Sequence, residues 1–432
     1  MVTAADRPRL NVVTKPEIVA SLAEARRRTL GLLDPIPEPA QRSQVSELMS
    51  PLCWDLAHIG HFEELWLVRE LTDAPPTVEL YDDVYDAFKH PRRDRPSLPI
   101  LEPAAARAFD EDVRRRALDI LVCTSLDGDD PLRADGFVYG MVVQHEHQHD
   151  ETLLATIQLM DDFAHPDADG VAPATSETGP PPLPDDVLIP AGSFTMGTDT
   201  APWAYDNERP AHDVTVGAFR IDTTPVTNQA YLAFVEDGGY DNPAHWSEAG
   251  WQWRIEADLQ APQFWQQAAD GGWTRRRFGR DEPLPGAEPV QHVCWYEADA
   301  YARWSGARLP TEQEWEYAAL GAPVAAANLW REGGDRWGPA PVGSRSGNRS
   351  RWGVDGMVGD VWEWTDSDFE PYPGFRAFPY REYSEVFFGS DYKVLRGGSW
   401  ATHPDAVRTT FRNWDLPIRR QIFAGFRCAR DA

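Results

Sequence analysis

Two histidine-rich stretches carry the residue types best suited to chemistry. One reads Asp55-Leu-Ala-His58-Ile-Gly-His61, the other His145-Glu-His-Gln-His149. Residues four apart on a helix share a face about one turn apart, so His145 and His149 can hold one ion together, while His147 points to roughly the opposite side. The first stretch lies on a different helical segment, and helical bundles build metal sites from side chains on facing helices. Three histidines without a carboxylate leave coordination positions open, which is the prerequisite for catalysis at a metal. Neutral imidazoles suit zinc, iron, copper or nickel, so ligand type does not choose among them. Read literally, His145-Glu146-x-x-His149 is also the zinc-hydrolase pattern, with Glu146 as general base for a metal-bound water. Against that reading, no Gly-x-x-His continuation follows, and a protease leaves the second half of the chain unexplained.

The elements that must position these groups are legible in outline. The segments 21–34, 46–72, 104–126 and 134–160 each place apolar residues at three- and four-residue intervals. Four such segments predict an all-α four-helix bundle over residues 1–160, with the longer 73–103 connection free to carry function. Residues 161–185 are rich in Pro, Gly, Asp and Ala without apolar period, a linker signature. From 186 to 432 the text changes to short apolar runs (VLIPAGSFTMG, HDVTVGAFRID, KVLRGGSW) between Gly, Pro and Asn turns. One or two helices stand out there, the clearest at 311–320, so this half is predicted to be an α+β domain dominated by loops.

Composition narrows the function class. Of 432 residues, 69 are acidic and 41 basic, a formal charge of -28. That balance argues against a nucleic-acid or anionic-membrane surface, both of which need clustered Lys and Arg. The N-terminal text lacks a basic region followed by an apolar run, and no stretch approaches the ~20 apolar residues that cross a bilayer. The four cysteines, Cys53, Cys123, Cys294 and Cys428, are scattered without paired spacing and read as reduced thiols of a cytoplasmic protein.

The motifs WDLAHIGHFEELWL, LYDDVYDAFKHPRRDR, MVVQHEHQHDETLL, PYREYSEVFFG and FRNWDLPIRRQIFAGFR, in this order, resemble the iron-dependent sulfoxide synthases of ergothioneine biosynthesis. In that family a bundle similar to DinB proteins is fused to a domain similar to the formylglycine-generating enzyme, itself like a C-type lectin. IPAGSFTMG, TTPVTNQAYLAF, RLPTEQEWEYAA, GDVWEWT, VLRGGSW and GFRCAR look like landmarks of that second domain. The resemblance implies O2-dependent coupling of a cysteine-containing thiol to C2 of the imidazole of hercynine, with the sulfur oxidised to a sulfoxide. It implies His58, His145 and His149 as Fe(II) ligands. His61 is the alternative on its helix, and periodicity does not choose between the two.

The remaining roles are implied by the same resemblance. Arg92 and Arg95 match the arginines that bind the carboxylates of γ-glutamylcysteine, with Arg93 as alternative; a guanidinium fork suits a carboxylate. Asp415 would meet the ammonium of that thiol. Asn413 and Trp414 would border hercynine, whose trimethylammonium gains from an aromatic face, and Gln148 would contact its carboxylate. Tyr380 and Tyr383 match the family's catalytic tyrosine, with Tyr380 favoured by spacing. The paired arginines and Asp415 favour γ-glutamylcysteine over free cysteine. One departure stands out. Formylglycine-generating enzymes use cysteines near the C-terminal RGGS segment, and RGGSWATHPDAVRTTFR contains none. The second domain therefore reads as recruited for substrate recognition, with a structural calcium there possible only by analogy.

Overall fold

The computed structural model describes residues 13–166, 168, 183–331, 337–345 and 347–432. Most of the predicted linker, residue 167 and residues 169–182, lies outside the described residues. The chain divides into two units, Met1–Thr156 with Ala201–Trp203, and Ile157–Thr200 with Ala204–Ala432.

Among the described residues, the first unit holds four long helices, Lys15–Leu33, Leu52–Glu63, Pro103–Cys123 and Phe137–Gln158. The first begins at a reciprocal cap. Thr14 Oγ accepts from the Glu17 N–H, and the Glu17 carboxylate accepts from the Thr14 N–H. This satisfies two of the donors that a helix start leaves orphaned. The second helix starts at Leu52 rather than near 46, because Pro51 restricts Ser50 to extended backbone and occupies the cap itself. It continues through a π-helical turn at Glu64–Arg69. Leu22, Ala25, Leu56, Ile59, Val113, Ala117, Val142 and Leu153 are buried and supply the apolar stripe of each helix.

Charge also runs through this interior. Glu63 and Glu146, both fully buried, are held by Arg26 and Arg114: Arg26 Nε lies 2.7 Å from Glu146 and its Nη2 3.0 Å from Glu63. Arg114 reaches Glu146 at 2.8 Å and Glu63 through a second contact. Asp110 sits beside them, with Arg26 at 3.7 Å. The second and third helices pass close enough that a Cβ on Gly60 would lie 1.9 Å from Asp110 Oδ1.

Among the described residues, the second unit contains four small sheets. Strands Asp186–Ile189, Phe219–Asp222 and Ala429–Asp431 form one, so the last residues of the chain pair with its early strands. Another joins Asn413–Asp415, Gly389–Arg396, Trp362–Phe369 and Ala424–Gly425. Its core gathers Ile189, Met196, Phe219, Ile221, Trp315 and Met357. Helices are more numerous than the sequence suggested: Asn228–Glu236, Glu248–Glu256, Trp295–Trp304 and Glu312–Ala318. Each is short and rich in aromatic or small residues, so its period spans barely two turns and is hard to read. The caps are the better signal, since Thr227, Ser247 and Thr311 each accept from a backbone N–H three residues on.

Candidate metal centre

His58 on the second helix and His145 and His149 on the fourth converge. One nitrogen of each lies within 4.8 Å of the others. Their ring centroids form a triangle with sides of 4.6, 4.6 and 5.0 Å. His61 is drawn away from this group: its Nε2 is 2.9 Å from Asp82, whose carboxylate is also gripped by both terminal nitrogens of Arg69. His147 is buried and faces Asp150, with Nδ1 at 3.3 Å from its carboxylate.

Each converging ring is braced. His58 Nδ1 lies 2.7 Å from the Tyr85 carbonyl, which fixes the proton on Nδ1 and leaves the Nε2 lone pair for a ligand bond. Trp54 stacks on the same ring at 4.9 Å, and its indole N–H donates to the adjacent Val84 carbonyl. The short segment 82–85 thus fastens Trp54 and His58 through two consecutive carbonyls and occupies His61 through Asp82. Phe62 stacks on His145 at 3.7 Å. His149 Nδ1 is 3.2 Å from Asp55 Oδ1. Burial, and then the neighbouring imidazoles, press His58 and His145 well below the ordinary histidine range. Neutral imidazole is the form that ligates a metal. Three imidazole nitrogen donors, two with the other ring nitrogen engaged, fit a first-row transition ion with open positions.

Glu146 is not aimed at this group. Its carboxylate accepts from Arg26, Arg114 and Thr29 inside the bundle. Against the cost of burial, the two arginines hold it down to about 2. A carboxylate so engaged is a poor general base, which removes the main support for the hydrolase reading.

The predicted arginines differ in exposure. Arg95 is buried, with its guanidinium over the Trp54 ring at 3.6 Å. It donates to His90 O, Ser50 Oγ and Ala87 O, so two of its five N–H groups remain. Arg92 is half-buried and donates to Leu48 O at 2.9 Å, while Arg93 is exposed beside Asp94. Gln148 is half-buried on the fourth helix, three residues from His145.

In the second unit, Asn413, Trp414 and Asp415 form a short strand paired with Lys393–Leu395. Trp414 lies flat on Phe369 at 4.2 Å and meets Tyr383 edge-on at 5.7 Å. Asp415 is 3.2 Å from Arg419. Tyr380 and Tyr383 are 6.2 Å apart. Burial, followed by Tyr205 and Asp206, lifts the Tyr380 hydroxyl well above the usual tyrosine range, so it holds its proton at neutral pH. Three residues here carried no functional reading from sequence. Tyr205 stacks on Tyr383 at 4.0 Å and hydrogen-bonds it. Asp206 accepts from Phe378 N–H and Ser384 Oγ, spanning the segment that carries both tyrosines. Arg408 pairs with the buried Glu208 next to them. No spacing signal joins residues some 175 positions apart; only the Tyr-Asp-Asn-Glu text at 205–208, dense in polar groups, hints at them.

Comparison with known proteins agrees with this layout. Residues 21–153 match the DinB superfamily, and residues 172–432 match the sulfatase-modifying factor enzyme 1-like domain. The hercynine oxygenase of Mycolicibacterium smegmatis is 47% identical, over 97% of this chain and 100% of its own. That of Mycolicibacterium thermoresistibile is 49% identical, over 96% of this chain and 95% of its own. The formylglycine-generating enzyme of Streptomyces coelicolor is 32% identical over 60% of this chain. With likeness to the oxygenases over nearly the whole chain, and to the formylglycine-generating enzyme over 60% of it, the chain belongs to the hercynine oxygenase family.

Proposed function

We propose that this protein is an iron(II)-dependent oxygenase of ergothioneine biosynthesis that joins the sulfur of γ-glutamylcysteine to C2 of hercynine and yields the sulfoxide. The observation that carries the reading is the His58, His145 and His149 triangle within a chain of this family. These three residues would hold Fe(II), which when bound supplies the redox chemistry with O2. The stoichiometry closes without an added reductant. The thiol S–H and the imidazole C2–H are lost, a C–S and an S–O bond form, and the second oxygen atom leaves as water.

The chain's own residues bind, orient and supply protons. Arg92 and the two free N–H groups of Arg95 hold the carboxylates of γ-glutamylcysteine, and Asp415 meets its ammonium. Gln148 contacts the hercynine carboxylate, while Asn413 and Trp414 border its trimethylammonium end. Tyr380 delivers a proton from its hydroxyl, with Tyr383 beside it. Holding both substrates in one orientation converts an encounter of three molecules into a step within one complex. Free cysteine is the competing thiol; it lacks the γ-glutamyl group's additional carboxylate, which two arginines suit.

The test is anaerobic reconstitution with Fe(II), followed by oxygen uptake with hercynine, γ-glutamylcysteine, cysteine, or pairs of them. Uptake that requires hercynine and γ-glutamylcysteine together, with a sulfoxide adduct by mass spectrometry, supports the proposal. Uptake with cysteine alone as the thiol changes the substrate. Tight zinc binding with no uptake from either pair overturns the oxygenase reading.

A further inference from the structure

Asp55 is 1% exposed and lies three residues before His58, on the same face of the second helix. Its Oδ1 takes the 3.2 Å contact from His149 Nδ1, and among the described residues its Oδ2 has no hydrogen-bond partner. Among the neighbouring acids, Glu63 and Glu146 each receive two arginines, and Asp110, whose oxygens also lack hydrogen-bond partners among the described residues, has Arg26 at 3.7 Å. Asp55 is set against an imidazole instead. Burying a charge against one imidazole costs free energy that packing alone does not return. A side chain kept there has a reason beyond holding helices together.

We propose that Asp55 is a positioning residue of the metal centre, fixing the His149 ring and strengthening that imidazole as a ligand. The inference rests on the reading that His58, His145 and His149 bind the metal. A carboxylate that accepts from Nδ1–H pins the proton there, turns Nε2 toward the other two rings and raises its basicity. The three braces then differ in kind. His58 leans on a neutral carbonyl, His145 on the face of Phe62, and His149 alone on an anion. Arg95, an arginine proposed for substrate, stands near enough for its charge to interact with Asp55.

The same helix carries an internal control. His61 and Asp82 make the same imidazole–carboxylate pair at 2.9 Å, but away from the triangle and saturated by Arg69. If Asp55 acts through His149, its removal changes metal affinity and removal of Asp82 does not.

The experiment titrates metal-free protein anaerobically with Co(II) against a competing chelator, reading both affinity and the Co(II) absorption bands. Asp55→Asn keeps the shape and an acceptor but loses the charge; it is expected to weaken binding about 10-fold, and Asp55→Ala up to about 100-fold. The bands shift in both, while metal-free circular dichroism stays that of the parent protein. Asp82→Asn binds Co(II) as the parent does. The proposal is overturned if both Asp55 variants keep parental affinity and bands, or if Asp82→Asn loses as much. His149→Ala separates the two readings. If it too keeps parental affinity, the metal-site reading itself has failed; if it loses Co(II) while the Asp55 variants do not, only the role of Asp55 has failed.

Discussion

Replacing Glu146 by Gln separates the two chemistries that the His145-Glu146-x-x-His149 text allows. In the fold, Glu146 belongs to the buried Arg26, Arg114 and Glu63 network. Its carboxyl is held at about 2 against an ordinary 4.5. At ~1.36 kcal/mol per unit, that difference makes the ionised group stabilising by about 3 kcal/mol at neutral pH. The sign follows from the lowered value: the contribution is complete above the unfolded value and is lost as pH falls through the folded one. The same size is expected from leaving two largely buried arginines short of an anion, about 3–5 kcal/mol. Asp110 limits the damage. Burial keeps it well above the carboxylate range, with Glu146 and Glu63 adding to the push against Arg26. Once Glu146 is neutral, Asp110 can ionise beside Arg26. Glu146→Gln is therefore expected to lower the melting temperature by about 6–12 °C. Asp110→Asn alone is expected to cost little, and the double variant more than the two single costs together. The assay is thermal melting by circular dichroism with oxygen uptake per bound iron measured in parallel. Uptake per iron is expected to stay near parental. An unchanged melt with uptake lost as completely as in His145→Ala would refute this reasoning and restore Glu146 as a reacting base.

Three other expectations follow from the geometry. His58→Ala is expected to abolish tight Co(II) binding, whereas His61→Ala keeps it, because Asp82 and Arg69 already occupy His61; equilibrium metal titration checks this. Burial raises Asp206 to about 6, so its folded form holds a proton that the unfolded chain releases near 3.8, and stability falls as pH rises through that window. Asp206→Asn is expected to flatten this slope by up to about 3 kcal/mol between pH 4 and 6, measured by urea unfolding. Gly60→Ala forces a Cβ against Asp110 and is expected to destabilise the bundle by about 1–3 kcal/mol in the same assay.

The sequence by itself determined what is local. The three-and-four apolar period marked the bundle helices, and an i, i+4 pair on one helix must share a face, so His145 and His149 were a pair before any fold was known. The change to short apolar runs marked a second domain of another class. The motif order carried the family because it needs no geometry. Local text did not decide between His58 and His61, which are one turn apart on a helix buried along its whole length. A period cannot pick a face when every face is buried. That choice was made by residues 82–85, some 25 positions away, whose two carbonyls and one carboxylate hold Trp54, His58 and His61 in fixed places. Glu146 was ambiguous for a related reason: a motif states spacing, whereas the role of a carboxylate depends on which charges surround it, here Arg26 and Arg114 from two other helices. Asp55 stood in view beside His58, and its meaning came only when the fourth helix set His149 against it. Sequence fixes which groups are available within one turn; which of them meet, and in what state of charge, is settled by contacts between helices far apart in the chain.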